Sequence, residues 1–315
     1  MASAQSSLAV GGMARRRPFM TQSRREALVA YLFISPWLLG LVLFLIGPII
    51  LSFYFSLTKY TLVKAPEWLG FANYERMLTD PFVGIALRVT GTYTLLAVPL
   101  GTIASLLIAL LLNQKVFGIR VFRTIFYMPS LISGVAVAIV FSWLFSHRLG
   151  IVNFILSRLG IQGPNWLGDP NVVLWTLVLM SLWGAGSGAV IFLAALQGVP
   201  QSLYEAAELD GAGSFRKFWH ITIPLISPVI MFSVITGVIG TFQTFTISYL
   251  MTGGGPGYAT LFYLLYLYRN AFSWFEMGYA SALAWVLFLI ILFFTLILLR
   301  TSSLWVYYES AGRGR

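Results

Sequence analysis

Few residues in this 315-residue chain are equipped for covalent chemistry. There are two histidines, His147 and His220, separated by an apolar run long enough to put them on opposite sides of a membrane, and no cysteine, so no two-histidine metal site, thiolate site or Ser-His-Asp triad is expected. No G-x-x-x-x-G-K-[ST] loop is present to hold ATP. Gly184, Gly186 and Gly188 are spaced G-x-G-x-G, a weak phosphate signal; Gly184 with Gly188 also fits the G-x-x-x-G of closely packed helices. No catalytic residue and no metal ligand is assigned. The polar chemistry gathers in Pro200–Pro228, PQSLYEAAELDGAGSFRKFWHITIPLISP, where Glu205, Glu208 and Asp210 stand beside Arg216 and Lys217. Ser202 and Glu205 are spaced as a capping box, which predicts a short helix over 204–209. Gly211 sits where a left-handed helix stop takes glycine. Ser214 is placed to cap a second short helix, with Phe215, Phe218 and Trp219 on one face. Pro224 then opens an apolar run. Glu205 has two uses open to it, capping its own helix or facing a partner.

The elements around this stretch are apolar. The chain is 58% hydrophobic and 10% charged, with mean hydropathy +0.84, against about 25% charged in a soluble domain. The apolar runs are continuous and do not alternate, so the class is all-α integral membrane protein rather than barrel. Six windows free of Asp, Glu, Lys and Arg are long enough to cross a bilayer, which takes roughly 20 helical residues. They lie between Glu26 and Lys59, Arg88 and Lys115, Arg123 and Arg148, Asp169 and Glu205, from Lys217 to about Thr252, and between Glu276 and Arg300. Pro36 and Pro48 are placed to bend the first. This divides the chain into a basic tail (1–26, not a signal peptide because the apolar run after it is too long), a six-helix domain (27–300) and a C-terminal tail (301–315). With the N-terminus inside, 13 of the 20 lysines and arginines fall on the inner side and 7 on the outer, so both termini are expected in the cytoplasm. The net charge of +10 is spread over loops and tails, which argues against nucleic-acid binding. No acidic or basic residue lies well inside a window, where an ion-coupled carrier often places one.

Glu205-Ala206-Ala207, three residues, Gly211, nine residues, then Ile221-Thr222-Ile223-Pro224 resembles the EAA---G---------I-LP loop of ABC-importer permeases. Ile223 replaces the usual leucine. GFANYERML (70–78), RTIFYMPSLISGV (123–135) and LMTGGGPGYAT (250–260) are similar to the sugar-uptake branch, and the glycine-rich turn to the first of its two permeases. The resemblance runs from about residue 27 to 300. It implies a six-helix permease of the type I ABC importer fold in the inner membrane of a prokaryote. It also implies a second permease, two ATPase subunits that carry the ATP and magnesium (no cofactor resting on this chain) and an extracytoplasmic sugar-binding protein. The ATPase-coupling role carries onto Glu205, Ala206, Ala207, Asp210 and Gly211.

A neutral sugar needs hydroxyl and amide partners with flat apolar faces. Thr241, Phe242, Gln243, Thr244 and Phe245 in the fifth window match the phenylalanine–two polar–phenylalanine pattern that lines the sugar path in maltose-type permeases, and Ser181 and Ser187, around Trp183, are fourth-window candidates. Each hydroxyl also has a plainer use, bonding back to its own helix. Glycerol-phosphate esters are the alternative cargo within the family; they call for cations in the path, and no window contains one.

Overall fold

The computed structural model describes residues 22–114 and 116–307. The tail arginines Arg15, Arg16, Arg17, Arg313 and Arg315, and Lys115, lie outside the described residues.

Residues up to Ser52 form a unit of their own. Helix α1 (Gln22–Leu41) begins inside the stretch expected as tail and contains Pro36. A π turn over Val42–Ile46 follows, and α2 (Gly47–Ser56) starts with Pro48 in its first turn. Proline has no N–H for the i→i−4 ladder and its ring crowds the carbonyl four residues back; a widened turn relieves both faults.

The second unit starts at Phe53. A two-residue antiparallel pair, β1 (Thr58–Lys59) with β2 (Glu67–Trp68), precedes α3 (Ala72–Thr79). Helix α4 (Pro81–Leu112) is the spine. Its 32 residues reach about 48 Å. It starts at Asp80-Pro81, seven residues before the window read from charge alone, because the Asp80 carboxylate accepts the Phe82 N–H at 2.9 Å and proline at N1 loses no bond. Arg88, expected to bound the span, therefore lies within the helix, exposed and near its start.

The third window is not a single helix. It forms α5 (Ile119–Tyr127), a 3-10 turn (Met128–Leu131) and α6 (Gly134–Leu144), with a 97° bend. After α7 (Ile151–Arg158), the fourth window forms α8 (Val173–Leu182) and α9 (Ala185–Gln197), bent by 44° at Trp183-Gly184. The Pro200–Pro228 stretch holds α10 (Gln201–Leu209) and α11 (Ser214–Lys217). A π turn over Phe218–Thr222 then leads into α12 (Ile223–Phe242), with Pro224 in its first turn, as with Pro48. The expected second short helix is thus the start of a span that runs from Ser214 to Phe242. That span stops ten residues short of Thr252; α13 (Thr246–Met251) is a separate piece. The chain closes with α14 (Tyr263–Tyr268), a π turn over Arg269–Ser273, and α15 (Met277–Trp305), which passes the expected end at Arg300. Among the described residues, four helical stretches are long and apolar enough to cross a bilayer, and the two bent pairs, each counted as one span, make six.

Two apolar clusters lie at the two ends of α4. One joins Met77, Tyr93, Phe262, Tyr263, Tyr279 and Leu283; the other joins Ala109, Leu112, Phe192, Leu196 and Ile226. Small residues let the spans approach between them. A Cβ on Gly186 would lie 1.8 Å from the Phe126 carbonyl oxygen, and one on Gly188 would lie 2.6 Å from Ser105 Oγ. Ser105 Oγ donates to the Ala185 carbonyl at 2.8 Å. The G-x-G-x-G run is therefore a packing surface.

Candidate functional site

Helix α10 is not started by the expected capping box. Its N-cap is Pro200, with extended ψ and no side-chain cap bond, which places Ser202 inside the first turn and Glu205 one turn further on. Neither can reach a free N–H at the helix start. Glu205 is exposed, and among the described residues its carboxylate forms no hydrogen bond or ion pair. Of its two open uses, capping is thereby removed. Ser214 likewise stands at the first helical position, with Gly213 as N-cap.

The helix stop is built as expected. Gly211 has φ +76°. Its N–H donates to the Glu208 carbonyl at 3.0 Å, and the Ala212 N–H donates to the Ala207 carbonyl at 2.8 Å. These paired bonds are the Schellman arrangement, which satisfies the last carbonyls and turns the chain sharply. Asp210, the C-cap, and Ala206 are exposed, and Ala207 is half-buried. The loop is fastened to the span base at two points. Tyr204 Oη lies 2.9 Å from Thr222 Oγ1, and Lys217 pairs with Glu208. Phe215 and Phe218 both meet the Trp219 ring edge-on, so the three rings gather as their spacing predicts. Leu209 (91% exposed) and Phe215 (79%) extend from this frame. The result is a short braced rod with apolar tips and an unpaired carboxylate.

The second candidate set lies at the break between α12 and α13. The Gln243 and Thr244 N–H groups make short i→i−3 bonds to Gly240 and Thr241, both 3.2 Å, and the helix ends. No backbone donor reaches the carbonyls of Gln243 and Thr244. The Gln243 amide is exposed, and among the described residues neither it nor the Thr244 hydroxyl forms a hydrogen bond. In an apolar span such a break leaves polar groups that must face a cavity or other protein. The remaining candidates are committed locally. Thr241 Oγ1 donates to Gly237 (2.9 Å), Ser181 Oγ to Val178 (2.6 Å) and Ser187 Oγ to Gly184 (3.0 Å). Phe242 is buried and stacks on Phe294 at 5.7 Å. Phe245 stacks on Tyr249 at 5.2 Å. No hydrogen bond or ring contact joins Ser181 or Ser187 to Gln243 or Thr244.

A polar cluster that sequence reasoning missed ties α3, α4, α14 and α15 together. Asp80 accepts hydrogen bonds from the Tyr279 hydroxyl at 2.7 Å and from the Tyr266 hydroxyl, besides capping α4. Arg76 pairs with Glu276 at 2.8 Å and stacks over the Tyr279 ring at 4.1 Å. Burial pushes the Asp80 carboxyl up, but the bonds from Tyr266, Tyr279 and the Phe82 N–H, with the Arg76 charge, outweigh it and hold the pKa below its ordinary value. Asn73 donates to the Ser56 and Thr58 carbonyls at 2.8 and 2.9 Å, and Tyr74 to Ser56 Oγ at 2.8 Å. The GFANYERML run thus serves as a strap. Its sequence signal was the Asp80-Pro81 pair, a helix start.

The 252–260 turn is equally fixed. Gly253, Gly254 and Gly257 all have positive φ. Ser248 Oγ donates to the Thr260 carbonyl and Thr260 Oγ1 to the Gly255 carbonyl (2.7 Å), while Arg269 reaches the Gly253 carbonyl.

Comparison with known proteins agrees with this arrangement. The chain is 44% identical over 292 residues to the probable ABC transporter permease protein YesP of Bacillus subtilis, covering 91% of this chain and 94% of the relative. It is 34% identical over 280 residues to the trehalose/maltose transport system permease protein MalF of Thermococcus litoralis, covering 88% and 95%. A chain of a bacterial alginate ABC transporter, solved with an alginate pentasaccharide-bound periplasmic protein, has the same fold, with TM-score 0.79 at 23% identity over 89% of this chain and 96% of that one. Residues 97–304, from the middle of α4 to the end of α15 and including both the braced loop and the helix break, match the model of one family. The chain therefore belongs to the binding-protein-dependent transport system inner membrane components.

Proposed function

We propose that this chain is one of two permease subunits of an ATP-driven importer for a neutral sugar or oligosaccharide. Both termini and the Pro200–Lys217 loop face the cytoplasm, and the β1–β2 hairpin and the glycine turn face outward. The chain binds no nucleotide. Two ATPase subunits hold ATP and magnesium, and each permease passes their motion to its spans through a loop such as Glu205–Gly211. An extracytoplasmic binding protein delivers the sugar. Glu205, Asp210 and Gly211 meet the ATPase, with Ala206 and Ala207 allowing close approach.

The observation that carries the sugar reading is the break at Gln243–Thr244. It supplies an amide, a hydroxyl and two carbonyls that are otherwise unbonded in an apolar span, with no charged side chain in the break. These are the partners a polyol needs. The names of the arabinooligosaccharide and trehalose/maltose relatives point the same way, whereas the sulfoquinovosyl glycerol relative is named for a sulfonated, anionic sugar. The test is uptake by the assembled complex in vesicles. Gln243→Ala is expected to weaken uptake with subunit assembly intact. Unchanged uptake kinetics would remove Gln243 from the path.

A further inference from the structure

The Gln243–Thr244 break does not end in bare helix. From it runs a ladder of four rings. Phe245 stacks on Tyr249 at 5.2 Å with planes 15° apart, and Tyr268 meets Phe245 at 4.8 Å and Tyr249 at 5.5 Å. Phe272 continues the series, 5.1 Å from Tyr268. The ladder crosses between α13 and the α14 segment, and Arg269, next to Tyr268, is bonded to the glycine turn. Three further facts bear on its use. Tyr249 and Phe272 are exposed, although ring-on-ring packing would let the fold bury them. Among the described residues the Tyr249 and Tyr268 hydroxyls form no hydrogen bond. The neighbouring cation, Arg269, is held by the Gly253 carbonyl, which leaves no free charge on the ladder.

We propose that Phe245, Tyr249, Tyr268 and Phe272 form an outer subsite that stacks successive pyranose or furanose rings of a neutral oligosaccharide before they reach Gln243 and Thr244. The proposal rests on the importer reading above and extends its sugar path outward. The chemistry is that of a sugar platform. The C–H face of a sugar lies against an aromatic ring, and phenolic hydroxyls exchange hydrogen bonds with the sugar rim. Phe245, at the N-cap of α13, and Tyr249 hold their ring centroids 5.2 Å apart, which is the scale of a single sugar ring. A chain two or three rings long can thus touch the ladder and the break at once, whereas a monosaccharide touches one of them.

The competing occupant is lipid, because tyrosines also gather at membrane interfaces. The cysteine-free sequence allows a direct test. Single Tyr249→Cys and Tyr268→Cys variants of the assembled complex are exposed to a charged, membrane-impermeant methanethiosulfonate and, in parallel, to a lipid-soluble maleimide. A water-filled path predicts labelling of both by the charged reagent. Labelling by the maleimide alone places the ladder against lipid and overturns the proposal. Uptake of gluco- and arabino-oligosaccharides of one to four rings is then measured for Tyr249→Leu and Tyr268→Leu. Each is expected to raise KM about 2- to 10-fold for three- and four-ring substrates, the range of one aromatic stacking contact, and to affect monosaccharide uptake less. Equal effects at every length, or none, would overturn the subsite. Gln243→Ala separates the two readings. If it is silent while the tyrosine variants show length dependence, the ladder stands and the role of the break falls.

Discussion

Gly211 offers a clean test of the coupling loop, because its two possible roles separate by substitution. Its φ of +76° lies in the left-handed region, where a Cβ costs roughly 1–2 kcal/mol. A Cβ built there meets nothing within 4 Å, so within this chain the cost is conformational alone. One to two kcal/mol changes an equilibrium by roughly 5- to 30-fold. Gly211→Ala should therefore populate loops in which the Glu208 and Ala207 carbonyls lose their paired N–H donors and the α10 rod points elsewhere. Gly211→Asn tolerates positive φ better and should recover much of that loss. If the glycine also admits a partner backbone, Asn fails as Ala does, because both carry a Cβ. The assay is sugar uptake and ATP hydrolysed per sugar in proteoliposomes of the complete transporter. Loss of coupling with Ala and partial rescue with Asn assign the conformational role; equal loss assigns the close approach. Wild-type uptake and coupling in Gly211→Ala would refute the reasoning altogether.

Two further outcomes follow from the packing and the polar strap. Gly186→Ala drives a methyl to within 1.8 Å of the Phe126 carbonyl oxygen, and backbone on both sides cannot rotate away, so a loss of about 3 kcal/mol is expected, the upper end of overpacking costs. Thermal unfolding in detergent checks it against Gly101→Ala, where the added methyl meets nothing. Asp80 should make stability pH-dependent. Its folded pKa lies below the unfolded value, so its contribution is complete above about pH 4 and is lost as pH falls through the folded value. The unfolding temperature of the parent should fall more steeply than that of Asp80→Asn between pH 5 and 3; parallel curves would show that the carboxylate is not stabilised by its tyrosines.

How far these features were legible depends on what each leaves in the sequence. The apolar helices were readable because charge marks the limits of apolar runs. The helix stop was readable at Gly211, since only glycine sits there without strain. The helix starts were not. Ser202 and Glu205 fit a capping box by type and spacing, but Pro200 supplies a fixed φ of −59° with extended ψ two residues earlier and takes the cap position. The breaks at Ile132-Ser133, Trp183-Gly184 and Gln243–Phe245 were also missed. Hydropathy averages over them, and none contains a proline or a charge. Residue type picks out Ser181, Ser187 and Thr241 but cannot reveal that each hydroxyl donates to its own helix.

If the proposed function holds, the breaks and the absence, among the described residues, of a fully buried charged side chain belong to one design. A span that binds an ion can place a carboxylate or a guanidinium at depth and pair it. A path for an uncharged polyol gains little from a charge, because desolvating it costs several kcal/mol that no counter-charge on the cargo offsets. Backbone carbonyls are the alternative polar resource, but in a continuous helix every one of them is consumed by the i→i−4 ladder. Interrupting α12 at Phe242 releases the carbonyls of Gln243 and Thr244 at once and turns their side chains out of the helical register. The 32 residues of α4, unbroken and capped by Asp80, then supply the rigid reference against which that interruption can be held. On this view the position of the break carries more information about cargo than any single side chain near it. Changing Thr244 should tune affinity, whereas restoring helix through 243–245 should abolish transport.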